Sequence, residues 1–137
     1  MRTLADDDYH SVTLETESSL VTIKRKSTPF ATVVECNRVY TELVHLLETL
    51  DLHGAELKLL FDLREVAPRN DPEYERIIGT HRKRVLSSFA NRALLVKTAA
   101  GALQVSRHAR DDGLDVGVFT DELEARRYLI GEPSETR

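Results

Sequence analysis

Cysteine is nearly absent from this chain: Cys36 is the only one in 137 residues. No internal disulfide is available, and a reducing, cytoplasmic setting fits that usage. No apolar run approaches the roughly 20 residues that a membrane-spanning helix needs. The opening "MRTLADDDYH" has no apolar h-region, so a secretory leader is not expected. Aromatic residues make up only 6% of the chain, few rings for stacking single-stranded bases. The formal charge of -4 argues in the same direction, against general nucleic-acid binding.

Catalytic signatures are missing as well. The chain contains no G-x-G-x-x-G, G-x-x-x-x-G-K-[ST], G-x-S-x-G or H-E-x-x-H. Its five histidines, His10, His45, His53, His81 and His108, do not pair with each other or with Cys36 at zinc spacing. No metal, no cofactor and no catalytic residue is expected, and the reading is of a protein that is not an enzyme. The most basic run, "HRKR" at 81–84, turns through every face of a helix and cannot form one groove. "TAAG" at 98–101 lacks the glycine density of a phosphate loop.

What is present is an ordinary globular composition, 41% hydrophobic and 31% charged, long enough for one real core. The first ten residues are polar and acidic and are expected to be flexible. "SVTLET" (11–16) and "SLVTIKRK" (19–26) are rich in β-branched residues and read as an antiparallel hairpin broken at Glu17 and Ser18. After Thr28 and Pro29, which read as a helix start, the period changes to 3.6. Val33, Cys36, Tyr40, Leu43, Leu47 and Leu50 then share one stripe, opposite Arg38, Glu42, His45 and Thr49. "HGAE" ends that helix.

"LKLLFDL" (57–63) is the continuous apolar run of a strand covered on both faces. A second helical stripe follows through Tyr74, Ile77, Ile78, His81, Val85 and Phe89. "RALLVK" (92–97) and "DVGVF" (115–119) are two more strands. A helix over 98–113 has a small-residue face of Ala99, Ala102, Leu103, Ser106 and Ala109 and stops at Gly113. The last helix spans 120–131, and the tail 132–137 is expected to be disordered. The order β-β-α-β-α-β-α-β-α implies one α/β domain over 11–131 with a mostly parallel sheet.

In an open α/β sheet, ligands bind beyond the carboxyl ends of the strands. Helix starts at Thr28, Asp71, Thr98 and Thr120 lie there, and so do Arg64 and Arg69. Asp71, followed by Pro72 and Glu73, is explained as an N-cap. His81 reads as a boundary histidine and Cys36 as a small buried hydrophobe.

Three segments, "SVTLETESSLVTIKRK", "LLFDLREV" and "VGVFTDELEARRYL", resemble the SpoIIAA-like fold, the group that includes the STAS (anti-sigma factor antagonist) domains. The resemblance covers about residues 11–130. It implies a bacterial, non-enzymatic signalling module that binds another protein through loops at the carboxyl edge. Candidate partner-binding residues are Arg64, Arg69, Asp71, Tyr74 and Thr98; homodimerisation is left open. Regulatory STAS members carry a phosphorylated serine or threonine at the helix start after the "DL" strand. That place falls near Asp71 and Pro72 here, and the nearest following hydroxyls are Tyr74 and Thr80, so no such phosphorylation is expected. Other SpoIIAA-like domains resemble the lipid-binding CRAL-TRIO group, and the alternative reading is a carrier of a small apolar ligand.

Overall fold

A computed structural model of the chain describes residues 1–50, 57–66, 71–111, 113 and 115–131. Its elements are β1 (Arg2–Asp6), β2 (His10–Glu15), β3 (Leu20–Arg25), α1 (Val33–Glu48), β4 (Lys58–Asp62), α2 (Pro72–Ser87), β5 (Asn91–Leu95), α3 (Ala99–Asp111), β6 (Gly117–Phe119) and α4 (Glu122–Ile130). The six strands form one sheet in the order β1-β2-β3-β4-β5-β6. β1 and β2 run antiparallel to their neighbours, while β3 to β6 are parallel. The α/β class and the parallel run after the hairpin agree with the sequence reading.

Strand alternation sorts the core into two layers. Val12, Leu14, Val21, Ile23, Leu59, Phe61 and Leu94 point to one face, where they pack under the apolar stripes of α1 and α2, with Val105 of α3 alongside. Leu20, Leu60, Ala93 and Leu95 point to the other, under Ala125 and Leu129 of α4. The central strands are therefore apolar on both faces, which is why "LKLLFDL" shows no alternation.

Several local expectations are corrected. Residues 2–6 are not a flexible leader; they form β1, paired with β2 from Arg2–Leu14 to Asp6–Ser11 across an irregularity at Leu4. Leu4 and Ala5 pack on the main core, an anchorage hidden by the polar residues around them. The β2–β3 turn takes four residues, Thr16 to Ser19, and Ser19 has a left-handed φ of 55°. Helix α1 begins later than Thr28: Thr32 is its N-cap, accepting from the Glu35 amide at 3.0 Å. The Thr28 carbonyl instead accepts from Arg25 at 2.8 Å, which keeps the preceding loop out of the helix. Likewise Asp121, not Thr120, caps α4, accepting from the Leu123 amide at 2.8 Å. Leu103 is 70% exposed and does not belong to the inward face of α3. The "HGAE" stop and the tail 132–137 lie outside the described residues.

Candidate functional site

The carboxyl ends of β3 and β4 lie side by side, with Lys24 opposite Asp62. Asp62 is nearly buried, and Arg64, two residues on, folds back over it. The Arg64 amide and Nε donate to Asp62 Oδ1 at 3.0 Å each, and Nη2 donates to Oδ2 at 2.9 Å. Burial pushes the Asp62 carboxyl up, but the Arg64 guanidinium and amide outweigh it and hold the group below its ordinary value. The same Nη2 reaches Glu122 Oε1 at 3.1 Å, tying the end of β4 to the first turn of α4. Beside this bridge Lys24 pairs with Glu65 at 2.7 Å. Two large apolar side chains flank it in sequence, Val66 at 42% exposure and Leu123 at 57%.

Asp71 answers to its sequence reading as a cap. Its backbone is extended at the N-cap of α2, its carboxylate accepts from the Glu73 amide at 3.1 Å, and Pro72 opens the helix. Thr98 does the same for α3, its Oγ1 accepting from the Gly101 amide at 3.0 Å. A Cβ at Gly101 would stand 3.2 Å from that Oγ1, so glycine keeps the cap uncrowded. Tyr74 is corrected as an interface candidate: it is 5% exposed and belongs to the main core. Arg69 lies outside the described residues. Thus the structure joins Arg64 to a rim network, leaves Asp71 and Thr98 as exposed or half-exposed caps, and withdraws Tyr74.

Sequence reasoning missed the corner where β2, β3 and α1 meet. Arg25 is 7% exposed, donates to the carbonyls of Lys26 and Thr28, and stacks its guanidinium 4.3 Å from the Phe30 ring centroid. Next to it His10 is fully enclosed, edge-on to Tyr40 at 5.4 Å, and Tyr40 in turn stacks on His81 at 5.8 Å. Burial, helped by the Arg25 charge, pushes the His10 imidazole down to about 4. Burial pushes the Tyr40 phenol up to about 12. His81 Nε2 lies 2.8 Å from Asn37 Oδ1, and burial, then Arg84, lowers its pKa. No local spacing in the sequence marks this corner, because His10 closes the polar opening stretch and the rings that enclose it come from α1 and α2. Cys36 is buried as expected.

Among the described residues no group of three or more His, Cys, Asp or Glu side chains is placed to hold a metal ion. Among the same residues no helix is long and apolar enough to cross a membrane. No family model, curated protein or solved structure matches the chain.

Proposed function

We propose that this protein is a non-enzymatic interaction module of the STAS-like, SpoIIAA-like kind, binding another protein through its carboxyl-edge rim. The observation that carries the reading is the Arg64 bridge, which holds the β4 end and the α4 start in one geometry with Val66 and Leu123 exposed beside it. A pre-ordered surface loses little conformational freedom on binding, and apolar chains ringed by charge give both affinity and orientation. The continuous strand order, with hairpin strands added to a parallel run, is compatible with the SpoIIAA-like expectation.

A photo-crosslinking residue placed at 66 or 123 in the native cell tests the reading, with position 107 on α3 as control. Discrete adducts from 66 and 123, lost on Leu123→Asp, are expected; identical adducts from 107, or none from the rim, would exclude it. The rim works without phosphate at the α2 start. Tyr74 is enclosed, and the Thr80 hydroxyl donates to the Arg76 carbonyl at 3.0 Å. Mass spectrometry of protein from cells should find no phosphate on residues 71–80, and phosphate there would remove this half of the reading.

The apolar-ligand reading has one feature in its favour, a cleft of about 540 Å³ between α2 and α3, lined by Pro72, Glu75, Arg76 and Gln104. Three of its four lining residues, Glu75, Arg76 and Gln104, carry polar groups beside their aliphatic stems, which fits a partner surface or an amphipathic ligand better than a purely apolar one.

A further inference from the structure

The sheet ends at β6, whose ladder to β5 runs in regular register from Gly117 to Phe119. Among the described residues no strand pairs with its other side. The Phe119 carbonyl accepts from the Val96 amide at 2.8 Å, so the peptide groups of Phe119 face β5. Backbone groups alternate sides along a strand, and the N–H and C=O of Val118 therefore face outward. Such an edge is a template for another strand. The opposite end of the sheet is a poorer one, because β1 is broken by an irregularity at Leu4.

Both helix layers leave an apolar side chain beside the β6 edge. On one face the rings of Phe119 and Tyr128 of α4 lie with centroids 5.2 Å apart. They rest on Gly117, where a Cβ would meet the Phe119 ring at 2.7 Å and the Tyr128 ring at 2.8 Å. Tyr128 is still 49% exposed. Glu124 and Asp121, four and seven residues back, share its flank of α4. Arg126 points the other way, to Glu15 of β2. On the opposite face α3 packs on β6, with Ala109 buried and Gln104 turned toward α2. Helical geometry then sets Leu103 on the flank of α3 away from α2, where it is 70% exposed. The slot has an aliphatic wall on one side and an aromatic ring with two carboxylates on the other.

We propose that the free edge of β6 takes an extended segment of another protein as an added strand. Alternate side chains of that segment are apolar toward Leu103 and basic toward Tyr128, Glu124 and Asp121. A lysine or arginine in that position lays its stem along the ring and reaches the carboxylates. A second copy of the chain fits less well. Antiparallel self-pairing about Val118 would bring Asp115 of one copy toward Asp121 of the other, and like charges opposed across strands are unfavourable. The edge adjoins the Arg64 rim but does not depend on it.

The test uses the whole protein and a capped hexapeptide of alternating lysine and valine, with the glutamate–valine analogue as charge control. Amide resonances of β6 are followed on titration, together with solvent exchange of the Val118 amide. A saturable shift and slowed exchange at Val118 are expected with the lysine–valine peptide alone. Val118→Pro removes the outward N–H while sparing the ladder to β5, and should weaken binding about tenfold or more, read at the Phe119 amide. Glu124→Lys should weaken it about threefold or more. Leu123→Asp at the rim should leave it unchanged, so failure of the rim and failure of the edge are read separately. No saturable shift at millimolar peptide, equal binding of the glutamate analogue, or undiminished binding by both Val118→Pro and Glu124→Lys would overturn the assignment. Self-association in sedimentation that Val118→Pro abolishes would overturn it too, because the edge would then belong to a second copy.

Discussion

Protonating His10 would place a second positive charge beside Arg25 in a site closed to water. Its folded value of about 4 lies below the ordinary 6.5, so the unfolded chain takes up the proton first as pH falls. The stability held by neutral His10 is thus complete above about pH 6.5 and is lost progressively between there and about 4. A depression of this size corresponds to roughly 3 kcal/mol at the acid end of the window. Urea denaturation at pH 7.5 and pH 5 should show the loss, and His10→Leu should flatten it; an unchanged pH slope in that variant would assign the response elsewhere. The Asp71 cap predicts a smaller effect that does not depend on this titration. Asp71→Ala should lower stability by about 1 kcal/mol and Asp71→Ser by much less, since either oxygen can meet an orphan amide of α2.

Elements are joined at the rim by a group that neither carries alone. Arg64 meets the near-buried carboxylate of Asp62 on one side and Glu122 of α4 on the other. Arg64→Ala leaves the Asp62 carboxylate without its guanidinium and should cost on the order of 2 kcal/mol. Arg64→Ala combined with Asp62→Asn should cost less than the sum of the single changes. Strict additivity in denaturant titrations would show that the bridge contributes nothing to stability. At the far end α4 rests on Ala125 and Leu129 over Leu20, Leu60, Ala93 and Leu95. Leu129→Ala should therefore cost about 2–4 kcal/mol, more than removing the half-exposed Arg126–Glu15 pair, read from the same denaturation curves.

At the scale of the whole molecule the two cores share one sheet but differ in depth. β3, β4 and β5 are apolar on both faces, whereas β1 is an edge strand and α3 buries only Ala109 among its described side chains. Amide exchange should be slowest in residues 20–25, 58–62 and 91–95 and clearly faster in 2–6 and 99–111. Equal protection of α3 and β4 would show that α3 is held more firmly than its burial implies.

The positions of β2 to β6 and of the four helices could be read from the chain because each follows from local spacing. Period two in "SVTLET", period 3.6 through Cys36, Tyr40, Leu43 and Leu47, and unbroken apolar character in "LKLLFDL" each report which sides of an element are covered. The Asp71 cap was legible for the same reason, because donor and acceptor lie within one helical turn. Other features depend on groups far apart in sequence. β1 forms because Leu4 and Ala5 reach a core built mostly from later residues, and Thr28 is excluded from α1 because Arg25 holds its carbonyl. The Arg64–Glu122 bridge spans 58 residues, and the enclosure of His10 needs Tyr40 from another element. Local periodicity determines which faces are apolar; only the packed sheet determines which polar groups meet, because those partners are brought together by the crossovers and not by the spacing along the chain.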